Sequence, residues 1–149
     1  MLQKYNGSCH CGAVRFEVDL DISAGTTKCN CSICTKMRLL VLAGATLSSQ
    51  VRPEAFHLIA GDGELTDYQG RNKVAHHVFC RHCGVRSFEW VDVPNMSGHK
   101  YFSVNLTCLD GVDVDELVAA PVSYPDGRNN DWGSQASENT SFVVTHRSM

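Results

Sequence analysis

The side chains best suited to chemistry in this sequence are cysteines, and seven of the eight fall into three short clusters. The first pair is Cys9 and Cys11, the triple is Cys29, Cys31 and Cys34, and the last pair is Cys80 and Cys83. Residues two apart on an extended chain share a face, so both sulfurs of a C-x-C pair can reach one metal ion. A tight turn does the same for C-x-x-C, and the glycine that follows each pair suits a turn with positive φ. Each cluster is therefore a local chelate.

Counting thiolates predicts how the clusters combine. The first and last pairs together supply four thiolates, the closed ligand set of a structural zinc. The triple supplies three, the number of protein ligands in a catalytic zinc site with an exchangeable fourth position. A second partition would place Cys31 and Cys34 with the last pair as an ordinary zinc ribbon, and would leave Cys29 and the first pair scattered. Spacing alone does not exclude it.

Length, composition and charge limit the class of protein. At 149 residues, 43% of them hydrophobic, the chain can bury the core of one domain and is too short to suggest two, so we expect a single domain over residues 1–149. The formal net charge of -3 argues against a protein built to bind nucleic acid or an anionic membrane.

The chain also lacks the sequence features of export and of membrane insertion. Its start, MLQKYNGSCHCG, has no apolar segment of the kind found in secretory signals, and the longest apolar run, residues 39–45, is too short to span a bilayer. We therefore expect a cytoplasmic protein with no membrane partner. Four disulfides remain an alternative for eight cysteines, but a reducing cytosol favours metal binding by clustered thiols.

Alternating apolar and polar residues predict a mainly antiparallel β fold around the clusters. Residues 14–20 have the pattern of a half-buried strand. Two further apolar segments flank the last pair, which places that pair at the tip of a β-hairpin. The other predicted strands are a pair joined by the turn AGDG and one strand nearer the C-terminus. The ranges are 73–79 and 85–91 for the hairpin, 56–59 and 65–68 for the pair, and 101–106 for the last strand.

Short helices and a tail of loops complete the predicted organisation. Ser32 can cap a short helical turn within the triple, and residues 113–119 form a second helix before Pro121. After Pro121 the chain is rich in Asn, Asp, Gly and Ser, which predicts loops with one strand at 142–145. The segment PDGRNNDW, residues 125–132, is interpreted as a loop rather than as a site.

Four segments, taken in order, closely resemble the glutathione-dependent formaldehyde-activating enzyme family, which includes centromere protein V. They are GSCHCGAVRFEV, CNCSICTKM, NKVAHHVFCRHCGVRSF and SVNLTCLDG, and they extend from Gly7 to about Gly111. The resemblance implies a single-domain, zinc-bearing β-tent fold with two zinc ions. Carried over by position, the first and last pairs match the family's structural zinc ligands, and the triple matches its catalytic zinc ligands.

The same resemblance implies a reaction that joins formaldehyde to glutathione, formally a carbon–sulfur lyase run in reverse. Three thiolates around Zn²⁺ leave a net charge of about minus one, a weak Lewis acid whose open position suits a soft ligand. Zinc can deprotonate a coordinating thiol outright. Glutathione would then be held as a thiolate beside the aldehyde.

Basic residues are candidates for contacts with the carboxylates of glutathione. Lys36 and Arg38 are preferred because they directly follow the triple, whereas Arg71 and Lys73 are expected to face solvent. No nucleic-acid partner is expected.

The remaining candidates have structural interpretations. Of His76 and His77, we expect one packed and one exposed, with neither binding metal, and His82 is expected to face solvent. Cys108 stands alone and is expected to be a small buried hydrophobic residue.

Two other functional classes remain open. One is a zinc-binding interaction module in which the triple is a second structural site. The other is a thiol redox protein that uses Cys31 and Cys34, because C-x-x-C motifs can cycle as disulfides. Two zinc ions per chain, one of them exchangeable, would favour the enzyme, and a metal-free C-x-x-C with a measurable disulfide would favour the redox protein.

Overall fold

The computed structural model describes residues 1–37, 51–70, 73–93 and 100–137 and the backbone of residues 41–42. Within these ranges the chain forms twelve strands and two short α-helices. The first half contains β1 (Gln3–Ser8), β2 (Arg15–Leu20), β3 (Thr26–Thr27), α1 (Ser32–Met37), β4 (Val41–Leu42), β5 (Phe56–Ala60) and β6 (Leu65–Gln69). The second half contains β7 (Ala75–Cys80), β8 (Phe88–Val91), β9 (Tyr101–Asn105), α2 (Val114–Ala119), β10 (Val122–Ser123), β11 (Pro125–Asp126) and β12 (Asp131–Gln135). The predicted mainly β fold with short helices is confirmed.

The strands form two main sheets and one small hairpin. A three-stranded sheet has the order β1-β2-β5, and a seven-stranded sheet has the order β10-β3-β4-β9-β8-β7-β6. The strands β11 and β12 pair only with each other. Neighbouring strands run antiparallel except β10 and β3, which are parallel. The C-terminal part of the chain therefore returns as the edge strand β10 and pairs with β3, the strand that leads into the triple.

The core lies between the two main sheets and is built on stacked phenylalanines. Phe16 and Phe56 come from the three-stranded sheet, with ring centroids 5.4 Å apart. Phe88 and Phe102 come from the seven-stranded sheet, and Phe56 stacks on Phe102 at 4.3 Å. Alternation explains the burial, since Phe16, Val18 and Leu20 of β2 are all at most 2% exposed. This apolar layer fixes the distance between the sheets.

Several predicted elements are confirmed. The strand predicted at 14–20 is β2, the arms predicted around the last pair contain β7 and β8, and the strand at 101–106 contains β9. The second predicted helix is α2, and the side chain of Asp113 caps it by accepting a hydrogen bond from the Asp115 N–H at 2.9 Å.

The two strands predicted at 56–59 and 65–68 exist as β5 and β6, but they belong to different sheets. β5 pairs with β2, and β6 pairs with β7. Gly61 makes the change of direction, with a left-handed φ of 95°. A Cβ at Gly61 would lie 2.5 Å from the carbonyl oxygen of Ala13. The turn therefore needs glycine both for its conformation and for its close approach to the first sheet.

The loop-rich tail predicted after Pro121 is wrong over residues 122–135, which contain β10, β11 and β12. The Thr26 N–H donates to the carbonyl oxygen of Pro121 at 2.7 Å, and the Lys28 N–H donates to that of Ser123 at 2.8 Å. These bonds join segments almost a hundred residues apart, so local composition does not reveal them. The strand predicted at 142–145 lies outside the described residues.

Among the residues that the structure describes, no helix is long and apolar enough to cross a membrane. Both α1 and α2 have six residues.

Gly7 provides a test of how the two sheets pack. It pairs with Phe16 across β1 and β2, and a Cβ at Gly7 would lie 2.2 Å from Cζ of that ring. We expect Gly7→Ala to lower the free energy of unfolding by about 1–3 kcal/mol, because the added methyl group overpacks the aromatic core. Urea denaturation of the metal-loaded protein measures this change. Gly63→Ala is the control, since nothing lies within 4 Å of its Cβ position, and equal stability of the two variants would contradict the packing described here.

Candidate metal centres

The first and last pairs of cysteines meet where two β-hairpin turns touch. Cys9 and Cys11 lie in the turn between β1 and β2, Cys80 ends β7, and Cys83 lies in the turn that follows. Their four sulfurs all lie within 4.8 Å of one another, and we call this group the four-sulfur centre. It joins the three-stranded sheet to the seven-stranded sheet.

The two turns have the same local construction. The Cys9 N–H donates to the Val14 carbonyl oxygen at 3.0 Å, and the Cys80 N–H donates to that of Val85 at 3.0 Å. A glycine closes each turn in the left-handed region, Gly12 with φ of 78° and Gly84 with φ of 73°. Residues with a side chain rarely adopt this conformation, which explains why a glycine follows each pair of cysteines. Each turn presents its two sulfurs to the other turn.

The geometry of the four-sulfur centre fits a zinc ion. Sγ of Cys11 lies 3.6 Å from Sγ of Cys9 and 3.6 Å from Sγ of Cys80. Four sulfurs placed tetrahedrally at about 2.3 Å from zinc are separated from one another by about 3.8 Å. The observed separations are close to that value, so these residues can hold zinc with little movement.

Hydrogen bonds to the sulfurs already favour thiolates in this centre. The N–H groups of Val85 and Cys11 lower the pKa of the Cys83 thiol to about 6. Burial acts to raise the pKa of Cys9, but the N–H of Val14 and the thiol of Cys11 lower it overall. The N–H of Ala13 lowers the pKa of Cys11, but burial and the neighbouring sulfurs raise it to about 12. Hydrogen bonding therefore favours the thiolate at Cys9 and Cys83 but not at Cys11, and a bound cation would favour the thiolate at Cys11 as well.

The triple forms a second cluster at the start of α1. Cys29 and Cys31 precede the helix, and Cys34 lies within it. The three sulfurs lie within 4.8 Å of one another, and we call this group the three-sulfur centre. Cys29 is buried, whereas Cys31 and Cys34 are partly exposed. Cys31 and Cys34 are therefore the two residues of the triple with some surface exposed.

The first helical turn holds the triple in place. The Thr35 N–H donates to the carbonyl oxygen of Cys31, the residue directly before α1, at 2.9 Å. The buried hydroxyl of Thr35 donates to the Asn30 carbonyl oxygen at 3.1 Å. The Cys31 N–H contacts Sγ of Cys29 at 3.3 Å. Three sulfurs are thus gathered by one loop and one helical turn.

The charge in the three-sulfur centre concentrates on one sulfur. Hydrogen bonds from the Cys29 and Cys34 thiols lower the pKa of Cys31 to about 3. The same contact with Cys31 raises the pKa of Cys29 to about 12. Contacts with Cys29 and Cys31 also raise the pKa of Cys34 well above its usual value. A bound cation would stabilise the second and third thiolates, so the donor set fits a thiophilic metal such as zinc.

The hairpin β11–β12 packs on the three-sulfur centre, and the interpretation of residues 125–132 as a loop is wrong, because they contain β11 and the start of β12. The side chain of Asn30 donates to Oδ1 of Asp126 at 2.8 Å and accepts from the Arg128 N–H at 2.9 Å. A Cβ at Gly127 would lie 2.8 Å from Sγ of Cys29. Turn residues in the sequence gave no sign of this contact, because it depends on pairing with a segment almost a hundred residues away.

A buried polar cluster links the hairpin of the last pair to the helix of the triple. The guanidinium of Arg86, which is 5% exposed, forms an ion pair with Glu89 and contacts Sδ of Met37 at the end of α1. His77 Nδ1 lies 2.9 Å from Arg86 and 2.7 Å from Oε2 of Glu89. The Asn105 side chain donates to the Arg86 carbonyl oxygen at 3.1 Å. A charged arginine is seldom buried without a partner, and Arg86 has Glu89.

Tyr101 lies within electrostatic range of both this cluster and the three-sulfur centre. Burial, the charge of Glu89 and the charge of Cys29 all raise the pKa of Tyr101. The phenol therefore keeps its proton at neutral pH and remains a hydrogen-bond donor. Sequence reasoning missed Arg86, Glu89 and Tyr101. Arg86 and Glu89 could have been noticed in the sequence, because charged residues are rarely buried unless they are paired, and both occur in a hairpin arm that is otherwise mostly apolar.

Among the residues that the structure describes, no histidine joins either group of sulfurs. His76 and His77 are both partly buried, so the prediction of one packed and one exposed side chain is wrong. His76 lies between two carboxylates, 2.7 Å from Asp67 and 2.9 Å from Asp92, and each histidine is therefore held by acidic groups across the sheet. His82 is exposed as predicted and pairs with Glu64.

The remaining candidates are placed as follows. Lys36 is exposed in the last turn of α1, and Lys73 is also exposed. Arg38 and Arg71 lie outside the described residues. Cys108 is partly buried rather than fully buried, and its sulfur lies 3.7 Å from the Arg86 carbonyl oxygen.

Comparison with known proteins supports this organisation. A family model described as "Glutathione-dependent formaldehyde-activating enzyme" matches residues 4–122. The crystal structure of a Rhodobacter sphaeroides protein, a structural genomics target, is similar at 30% identity with a TM-score of 0.61. The match covers 79% of this chain and 99% of that chain. Both sulfur centres lie within the segment that the family model matches, and the hairpin β11–β12 lies just beyond it.

The two centres are expected to respond differently to the loss of one sulfur. Structural zinc in small modules contributes roughly 10–16 kcal/mol of apparent binding free energy coupled to folding, which is comparable to a domain's whole stability of about 5–15 kcal/mol. We expect Cys80→Ser to unfold or aggregate the chain, because it opens the centre that joins the two sheets. Cys34→Ser removes a ligand from a cluster within one short segment, so that variant should stay folded and hold about one zinc instead of two. Circular dichroism and metal analysis of both variants check this, and equal unfolding of the two would make the three-sulfur centre a structural element.

Proposed function

The chain belongs to the glutathione-dependent formaldehyde-activating enzyme family, and from that premise we propose that it is a zinc-dependent carbon–sulfur lyase-type enzyme. It would join the sulfur of glutathione, or of a related thiol, to formaldehyde or a related aldehyde. Two zinc ions per chain are proposed. The four-sulfur centre would hold a structural ion, and the three-sulfur centre would hold a catalytic one.

The observation that carries this proposal is the unequal exposure of the three-sulfur centre. Cys29 is buried, Cys31 and Cys34 are partly exposed, and all three sulfurs lie within 4.8 Å of one another. Among the described residues, no fourth His, Cys, Asp or Glu joins the group at that mutual distance. Three thiolates with one approach from solution match a zinc site that takes an exchangeable fourth ligand.

The chemistry needed from this site is modest. A bound zinc ion would favour the thiolate form of an incoming thiol. In the reaction, the sulfur of the thiol bonds to the aldehyde carbon, the π pair of the carbonyl moves to its oxygen, and that oxygen gains the proton that the thiol lost. Raising a thiol with a pKa of about 8.5 from a few per cent thiolate to nearly all gains at most one to two powers of ten. Positioning of the two reactants must supply the rest.

Residues near the three-sulfur centre fit these requirements. Tyr101 is a protonated phenol at neutral pH, and burial, Glu89 and Cys29 raise its pKa further. Lys36 lies exposed in the last turn of α1, two residues after Cys34 in sequence, and is proposed to attract the carboxylates of glutathione. Arg38, two residues further on, is proposed for the same role.

A thiol redox protein is the second candidate function, and one observation favours it. Hydrogen bonds from Cys29 and Cys34 lower the pKa of Cys31 to about 3, and a low thiol pKa is typical of reactive cysteines in C-x-x-C motifs. Metal-free protein that cycles between a Cys31–Cys34 disulfide and a dithiol would support this function. Two firmly bound zinc ions per chain would oppose it.

The decisive experiment is a thiol-dependence assay with zinc-loaded protein and formaldehyde. Glutathione, cysteine and 2-mercaptoethanol are compared, with the uncatalysed addition measured for each. We expect catalysis above the background rate, greatest with glutathione, and its loss in Cys34→Ser. A rate equal to the uncatalysed addition for every thiol would remove the enzyme proposal.

The contribution of Lys36 can be measured separately. We expect Lys36→Met to raise KM for glutathione about two- to fivefold with little change in kcat, because an exposed charge contributes about 0.2–1 kcal/mol to attraction of a carboxylate. KM for 2-mercaptoethanol, which has no carboxylate, should not change. Lys4→Met is the control, since Lys4 pairs with Glu17 on the three-stranded sheet. An equal change of KM for both thiols would show that Lys36 does not recognise the carboxylates.

A further inference from the structure

We propose that the hairpin β11–β12 is a positioning element of the three-sulfur centre, in which Gly127 and Asn30 fix the sulfur of Cys29. The inference rests on the metal-binding part of the proposed function and not on the identity of the thiol or aldehyde. The hairpin lies beyond residue 122, where the family match ends. The family's ligand pattern therefore does not include it.

Gly127 is the point at which the hairpin touches the centre. A Cβ at this position would lie 2.8 Å from Sγ of Cys29, and 2.5 Å from Cη2 of Trp132. A separation below 3.0 Å is one that real Cβ atoms do not show, so no side chain fits between the backbone of Gly127 and the sulfur. The φ of Gly127 is not in the left-handed region. Glycine is therefore required at this position because a side chain would not fit, and not because of the backbone conformation.

Asn30 anchors the hairpin to the segment between two of the sulfurs. Both ends of its side-chain amide form hydrogen bonds, since Nδ2 donates to Asp126 at 2.8 Å and Oδ1 accepts from the Arg128 N–H at 2.9 Å. Its N–H also donates to the Pro125 carbonyl oxygen at 3.4 Å. Asn30 is 1% exposed, so these bonds are made in a buried environment where loss of a partner is costly. The Cys-Asn-Cys segment is thus attached to residues on both sides of Gly127.

These contacts act on one face of the centre. The backbone of Gly127 covers Cys29, whereas Cys31 and Cys34 stay partly exposed. Groups behind the ligands of a metal site commonly set ligand orientation, and their loss typically costs about 10–100-fold in metal affinity or activity. The hairpin therefore determines both the orientation of Cys29 and the side from which a fourth ligand can reach the metal.

Cobalt substitution tests the proposal without reference to turnover. Gly127→Ala and Gly133→Ala are compared, because both lie in the hairpin segment and nothing lies within 4 Å of the Cβ position at Gly133. We call the ion in the four-sulfur centre the first cobalt ion and the ion in the three-sulfur centre the second. We expect Gly127→Ala to lower the affinity for the second ion at least about tenfold and to change its thiolate-to-cobalt absorption. The first ion should be unaffected in both variants, and Gly133→Ala should match the wild type. Equal affinity and absorption of the second ion in the two variants would overturn the proposal.

A second pair of variants keeps the test decisive if Gly127→Ala fails to fold. Asn30→Ala removes the attachment of the triple to the hairpin, whereas Asn129→Ala removes only an exposed bond to the same Asp126 carboxylate, at 2.7 Å. We expect Asn30→Ala alone to weaken the second cobalt ion and to shift its absorption. The same second-ion affinity in both asparagine variants would overturn the proposal. A wild type that binds a single cobalt ion would contradict the proposed function, because the three-sulfur centre would then hold no metal. That result differs from two bound ions with equal second-ion affinity in the variants, which would contradict only the role of the hairpin.

Discussion

The sulfurs of Cys9, Cys11, Cys80 and Cys83 hold together two hairpin turns that belong to different sheets. Each turn presents two sulfurs because a glycine in the left-handed region closes it, and neither turn has enough thiolates to complete a tetrahedral site alone. The four-sulfur centre therefore depends on the two sheets being brought face to face. The stacked phenylalanines between the sheets provide that alignment, since they come from both. A metal ion held by the four sulfurs would thus stabilise the same arrangement of the two sheets as the apolar packing does.

The three-sulfur centre is arranged differently. Its three cysteines are close together in the sequence, whereas the hairpin that packs against them is almost a hundred residues further along the chain. One loop and the first turn of α1 gather the sulfurs, while the hairpin β11–β12 covers Cys29 from the other side. The parallel pairing of β10 with β3 brings the chain to this place. A site that must accept an outside ligand needs one rigid face and one accessible face, and the buried Cys29 and the partly exposed Cys31 and Cys34 supply them.

Between the two centres lies the buried cluster of Arg86, Glu89 and His77. Arg86 follows the last pair by three residues and reaches Met37 at the end of α1, so it connects the turn of one centre with the helix of the other. Its charge is balanced by Glu89, and the charge of Glu89 also helps to keep Tyr101 protonated by raising its pKa. A buried polar cluster of this kind is expensive unless its groups are paired, and Arg86 is paired with Glu89.

Local patterns in the sequence determined the chelating clusters, the strands with strict alternation and the helix capped by Asp113. Each of these depends on residues within a few positions of one another, through side-chain period, turn glycines or a capping side chain. The sequence also predicted the grouping of four and three sulfurs that the structure brings together, because thiolate counts limit how clusters can combine. It did not predict that β5 and β6 enter different sheets, that Arg86 is buried against Glu89, or that Gly127 lies on Cys29. Those features were decided by tertiary structure, because they depend on backbone pairing and packing between segments far apart in the chain, whose free energies local composition does not contain.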